Sequence, residues 1–208
     1  MTFNENGFEI VRNVISTQLL EHLKIEFEMI KNIIFYTNDI NEEENPYFFT
    51  GKHCQNTFSM YSPTCFESLL IQLQDVISKI IKLPLYPSYS YARIYYRDSV
   101  LNPHKDRLSC EYSATICIDT TDIWDFHIID KKEKENIIKL NPGDMCVYSG
   151  SKLNHWRNPY KGEKQMQCFL HYVNSQGSYR DFKYDTRKIL GIKNEIFNNV
   201  QMQKIIKY

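Results

Sequence analysis

His104 and Asp106 flank Lys105 in a His-X-Asp triplet, and His155 stands in a later segment that also reads as a strand edge. Two imidazoles and one carboxylate are therefore available to a single ion. On an extended chain residues i and i+2 project to the same side, so His104 and Asp106 can reach one ion while Lys105 points away. Imidazole with carboxylate suits ferrous iron, and three ligands on one face of an octahedron leave the other face for a chelating cosubstrate and oxygen. The six cysteines, Cys54, Cys65, Cys110, Cys117, Cys146 and Cys168, contain no C-x-x-C pair. A closed thiolate zinc site is not indicated. The expectation is an open, catalytic mononuclear iron centre held by His104, Asp106 and His155.

The elements that must position these ligands read as α+β. After Ser16, Leu19, Leu23, Phe27, Ile30 and Ile34 follow helical spacing, and Ser62-Pro63 opens a second amphipathic helix through Phe66, Leu69, Leu70, Leu73, Val76, Ile77 and Ile80, stopped near Pro84. Residues 36–61, with an acidic cluster and Tyr47-Phe48-Phe49, read as a mobile loop near the mouth of the site. Strands are expected at Ser90–Tyr96, Ser113–Ile118, Trp124–Ile129, Asn136–Leu140, Met145–Tyr148 and Gln165–Val173, at a spacing that suits a β-sandwich or barrel. The charged run from Asp130 to Glu135 reads as a solvated hairpin tip, and Asn141-Pro142-Gly143-Asp144 as the turn that launches the strand before His155. A further helix is expected near 193–206.

A chain of 208 residues fits one domain: helical support over 1–84, a β core over 85–175 and an extension over 176–208. Its 25 basic and 25 acidic residues cancel, which argues against a nucleic-acid partner. The scattered cysteines read as reduced thiols of a cytoplasmic protein, with no signal peptide and no membrane span.

The segment from Arg93-Ile94-Tyr95-Tyr96 to Asn102-Pro103-His104-Lys105-Asp106, followed by Pro142-Gly143-Asp144-Met145-Cys146-Val147-Tyr148 leading to His155, resembles the Fe(II)/2-oxoglutarate-dependent oxygenase superfamily. Within it the chain looks most like the prolyl-4-hydroxylase-type branch, over about residues 90–173. The resemblance implies a double-stranded β-helix, or jelly roll, and Fe(II) with 2-oxoglutarate as cosubstrate. It also implies oxygen as co-reactant, release of succinate and carbon dioxide, and hydroxylation of a small molecule, an amino acid or a peptidyl side chain. A basic residue in a Gly-X-Lys setting is expected to hold the far carboxylate of 2-oxoglutarate, and Gly162-Glu163-Lys164 stands nine residues past His155. Tyr95 and Thr115 are candidates to hydrogen-bond that carboxylate, and Arg157 is the alternative cation. The branch's Trp after the Lys is Gln165 here, and Asp98 stands near its usual glycine before His-X-Asp. A triad carboxylate is present, which disfavours the halogenating variant.

Other histidines read as structural: His22 on a helix, His53 in the long loop, His127 in a hairpin and His171 in the last strand, the last close enough to approach the pocket. Arg93 and Arg107 serve either structure or an anionic substrate. A cupin-like module that binds a metal or ligand without turnover is the second reading. Lys164, as a cosubstrate cation, discriminates against it.

Overall fold

The computed structural model describes residues 2–36, 54 and 56–191. Its elements run α1 (Phe3–Asn6), β1 (Phe8–Val11), α2 (Thr17–Tyr36), β2 (Thr57–Tyr61), α3 (Thr64–Ile81), β3 (Leu85–Tyr96), β4 (Leu101–His104), β5 (Tyr112–Thr120), β6 (Phe126–Ile129), β7 (Glu135–Ile138), β8 (Met145–Tyr148), β9 (His155–Arg157) and β10 (Lys164–Asn174). The strands form a six-stranded sheet, β1-β8-β5-β10-β3-β2, and a four-stranded sheet, β4-β9-β6-β7. All pairings are antiparallel. From β3 onward the chain passes back and forth between the sheets. This is the double-stranded β-helix expected from the sequence.

Each long strand has two working faces because successive side chains alternate. On one face of the large sheet, Ala92, Ile94, Ala114, Ile116, Met166, Cys168 and Leu170 pack against Leu23 and Phe27 of α2 and Phe66, Leu70 and Ile77 of α3. Full burial of each large apolar side chain contributes about 1.5–3 kcal/mol, so this layer fixes the helices to the sheet. The opposite face looks between the sheets, where Phe8, Cys117, Cys146 and Tyr148 meet Phe126, Ile128 and Ile138 of the smaller sheet. The intervening positions on that face carry polar side chains.

Several boundaries differ from expectation. β3 begins at Leu85, β5 extends to Thr120 and β6 starts at Phe126. Thr57–Tyr61, read as loop, pairs with Tyr91–Tyr95 as an edge strand. The helix after Ser62-Pro63 starts one residue late: Pro63 is the N-cap, with extended φ/ψ, and Ser62 sits at φ 58°. Residues 37–53 and 55 of the expected loop, and the helix expected at 193–206, lie outside the described residues. Asp130 accepts the backbone N–H groups of Lys132 and Lys134 at 2.8 and 3.0 Å, which closes the charged hairpin tip as expected. At the 141–144 turn, Gly143 adopts φ 91°, and Asp144 accepts the N–H of Asn141 at 2.9 Å. Among the described residues no helix is long and apolar enough to cross a membrane.

Candidate metal centre

β4 and β9 are neighbours in the small sheet, and their register places His104 directly opposite His155. The imidazole centroids are 4.3 Å apart. Asp106 follows β4 and is pinned by its backbone N–H, which donates to the Gly150 carbonyl at 3.0 Å. Nε2 of His104 and Nε2 of His155 each lie 3.6 Å from Asp106 Oδ1. One ligand atom from each residue falls within 4.8 Å of the others. Ligands about 2.1 Å from an octahedral ion need only a small contraction from this spacing.

The tautomers follow from the hydrogen bonds. His104 Nδ1 lies 2.8 Å from the Asn102 carbonyl and His155 Nδ1 3.0 Å from that of Leu153. A carbonyl only accepts, so each Nδ1 carries the proton and each Nε2 presents a lone pair to the shared space. Backbone carbonyls commonly orient metal-binding imidazoles in this way. Burial pushes the Asp106 carboxyl up, but the imidazoles of His104 and His155 outweigh it and hold the group well below the usual carboxylate range. Burial lowers the His104 pKa, yet the Asp106 carboxylate and the Asn102 carbonyl leave it raised overall.

The far oxygen of the same carboxylate has its own support. Ser113 on β5 donates to Asp106 Oδ2 at 2.8 Å, and His171 Nδ1 on β10 lies 2.9 Å from the Ser113 hydroxyl. Burial pulls the His171 pKa down to about 4, so this imidazole is neutral near pH 7. Its ring packs on Tyr89 with centroids 4.5 Å apart. Gly150 lies against this group: a Cβ there would meet Ser113 Oγ at 2.4 Å and Asp106 Oδ2 at 2.5 Å. Ser113 and Gly150 were not singled out from sequence, and His171 was read as packing. Strand parity places Ser113 and His171 on the face that looks between the sheets.

The triad opens into a cavity of about 570 Å³, lined among others by Tyr89, Tyr91, Arg93, Tyr95, Arg107 and Phe169. Of the expected cosubstrate contacts, Tyr95 lines this cavity and Thr115 stands behind it, fully buried and accepting from Gln167 Nε2 at 2.7 Å. Arg157 is 1% exposed and lies over the rings of Trp124 and Phe126 at 5.1 Å each. Its Nη1 donates to the Trp124 carbonyl at 2.7 Å, whereas its Nη2 is buried without a hydrogen-bond partner. The Tyr95 hydroxyl is likewise buried and unpartnered. Burial lowers the Arg157 pKa, and the neighbouring Tyr95, Cys117 and Tyr148 groups oppose that shift. No carboxylate among the described residues pairs with Arg157 or with Arg93, which donates to Ser59 and Tyr91 hydroxyls at 2.8 and 3.0 Å.

Lys164 does not point where the Gly-X-Lys spacing implied. Its Nζ donates to Glu28 on α2 at 2.8 Å, and it does not line the cavity. The reason is strand parity. Lys164 shares the face of Met166, Cys168 and Leu170, which pack toward the helices, while Gln165 and Gln167 hold the interior positions and bond to each other at 2.8 Å. A shift of one residue moves a side chain to the other face of a sheet. Asp98, which replaces the expected glycine, has φ 67° and so keeps the backbone conformation that glycine supplies most readily.

No family description matches the sequence, and no curated protein matches it. Solved structures do. HygX from Streptomyces hygroscopicus, with nickel, 2-oxoglutarate and hygromycin B bound, is 14% identical, with a TM-score of 0.64 over 84% of this chain and 85% of its own. A prolyl-4-hydroxylase from Pseudomonas putida is 12% identical, with a TM-score of 0.61 over 83% and 95%. The non-heme alpha-ketoglutarate-dependent carbocyclase SnoK of nogalamycin biosynthesis is 10% identical, with a TM-score of 0.64 over 83% and 81%. What the chain shares with them is the double-stranded β-helix fold.

Proposed function

We propose that this protein is an Fe(II)- and 2-oxoglutarate-dependent oxygenase that hydroxylates a small molecule, an amino acid or a peptidyl side chain. The observation that carries the reading is the convergence of His104 Nε2, His155 Nε2 and Asp106 Oδ1 at the wall of a cavity, with both imidazole tautomers already set for an ion. Two nitrogens and one anionic oxygen on one side fit ferrous iron with exchangeable positions. His104, Asp106 and His155 would hold the metal, whose chemistry when bound is activation of oxygen coupled to oxidation of the 2-oxo acid. Fold neighbours crystallised with nickel, iron and 2-oxoglutarate support the same pairing.

The rest of the work belongs to the chain. A dicarboxylate that chelates the metal by its 2-oxo acid end needs a cation for the other end, deep enough to exclude water. Neither Arg157 nor Lys164 is among the residues that line the cavity, but Arg157 supports that role better: it lies against the cavity-lining Phe126 and Tyr95, its charge is buried, it has no carboxylate partner among the described residues, and one nitrogen is unsatisfied. A buried charge left this way is costly unless a ligand completes it. Tyr95, whose pKa burial raises and the charges of Arg93 and Arg157 lower, offers its free hydroxyl beside them. Arg93 places a cation on the cavity wall itself. Tyr89, Tyr91 and Phe169 then form the surface against which an organic substrate is oriented.

The test is consumption of 2-oxoglutarate with stoichiometric succinate after loading with Fe(II), screened against amino acids, proline-containing peptides and polyhydroxylated small molecules. Succinate formed by wild type and lost in Asp106→Ala is the expected result. Absence of succinate from a fully metal-loaded wild type across the screen and without added substrate counts against turnover and favours a binding module.

A further inference from the structure

We infer that Ser113 and His171 form a hydrogen-bonded relay that commits one oxygen of Asp106 to the protein and leaves the other for the metal. The inference rests on the metal-binding reading above and adds two positioning residues to it. Ser113 has one proton, and Asp106, held ionised, only accepts. The hydroxyl therefore donates to Oδ2 at 2.8 Å and can only accept from its other neighbours, the Tyr148 hydroxyl and His171 Nδ1, the latter at 2.9 Å. That direction needs a proton on Nδ1 of His171. The tilted contact with the Tyr89 ring holds the His171 ring in place, and full burial of Ser113 removes competing water.

The consequence concerns coordination number. A carboxylate whose two oxygens are both free can chelate an ion through both and take a position that a cosubstrate or oxygen needs. Here Oδ1 faces the two Nε2 atoms at 3.6 Å each, while Oδ2 is engaged on the opposite side and has Gly150 against it. One side-chain atom each from Asp106, Cys110 and His171 also lies within 4.8 Å of the others. The Ser113 hydroxyl already occupies both the Asp106 oxygen and the His171 nitrogen of that second group, which makes it a hydrogen-bonded network. Sequence gives the relay no motif: Ser113 and His171 meet because β5 and β10 are adjacent and in register at this pair.

The experiment titrates the full chain with Co(II), a spectroscopic stand-in for Fe(II), and follows the visible d–d absorption without any turnover. Loss of a group that orients a metal ligand typically costs about 10–100-fold in metal affinity. Ser113→Ala and His171→Ala are expected to weaken Co(II) binding in that range and to alter the band, while Ser113→Thr, which restores the hydroxyl, stays within about threefold of wild type. Wild-type affinity and spectrum in Ser113→Ala would overturn the relay, as would a loss in Ser113→Thr as large as in Ser113→Ala. Should Ser113→Ala fail to fold by far-UV circular dichroism, His171→Ala against His171→Gln, which keeps an N–H donor, decides the question. Affinity lost in the first and kept in the second supports the relay, and any other pattern overturns it. A wild type that binds no Co(II) refutes the metal site itself, a separate outcome.

Discussion

Lys164 and Glu28 form an ion pair, Nζ to Oε1 at 2.8 Å, between β10 and α2 on the helix-covered face of the large sheet. The cation that sequence spacing assigned to the cosubstrate thus ties a helix to the barrel. Titration of the Co(II)-loaded protein with 2-oxoglutarate separates the two roles. Lys164→Ala is expected to change the affinity by less than about twofold. Arg157→Ala is expected to weaken it by about tenfold or more, the scale of a hydrogen bond to a charged group. A large loss in Lys164→Ala with none in Arg157→Ala would return the anchor to Lys164.

Gly150→Ala places a methyl group on Asp106 and Ser113. The nearest atoms to a Cβ there are Ser113 Oγ at 2.4 Å, Asp106 Oδ2 at 2.5 Å and the Cys110 carbonyl at 2.6 Å, so the group that holds the carboxylate must shift. Isothermal titration is expected to show Co(II) affinity reduced by at least about tenfold. Unchanged affinity would mean that this turn yields more readily than its packing implies.

Arg187 and Glu67 are paired at 2.7 Å with side chains 1% and 3% exposed. Arg187 also donates to the Ser88 carbonyl at 3.0 Å, which fastens the segment after β10 to α3 and β3. Removing one member of a buried pair strands the other charge and costs about 3–5 kcal/mol. Urea denaturation of Arg187→Ala is expected to show a loss of that order, and the double variant with Glu67→Leu to recover much of it. A loss below about 1 kcal/mol, as at an exposed pair, would contradict the assignment.

Asp144 gives the fold a pH dependence. Burial raises its pKa, but Arg12 and the backbone N–H groups of Asn13 and Asn141 outweigh burial and hold the carboxyl below its ordinary value. A carboxyl lowered on folding stabilises the native state above its unfolded pKa of about 3.9, and that contribution fades as pH falls through the folded value. The melting temperatures of wild type and Asp144→Asn are expected to differ near pH 7 and to converge as the pH drops below about 4. A gap that stays constant down to pH 3 would exclude this linkage.

Much of this was legible before the fold. The His-X-Asp spacing brought His104 and Asp106 to one side, and the apolar period of Leu19 to Ile34 and Phe66 to Ile80 marked both long helices. Met145–Tyr148 was read with its observed bounds. The failures share a physical origin. β1 and β2 are edge strands, and they form by pairing with partners remote in sequence. Lys164 was placed by counting from His155, although the face on which it falls depends on parity along β10. Ser113 and His171 belong to the centre only through the register of β5 against β10. Arg157 stands two residues past His155, but its unsatisfied nitrogen is a property of packing against Trp124 and Phe126.

An iron held by His104, Asp106 and His155 is expected to chelate 2-oxoglutarate, and anaerobic reconstitution makes that chelate visible. Addition of Fe(II) and then 2-oxoglutarate to wild type is expected to produce the weak visible charge-transfer band of the chelate, lost in His155→Ala and Asp106→Ala variants that remain folded. A folded wild type that develops no band, or triad variants that develop it undiminished, would rule out this iron centre.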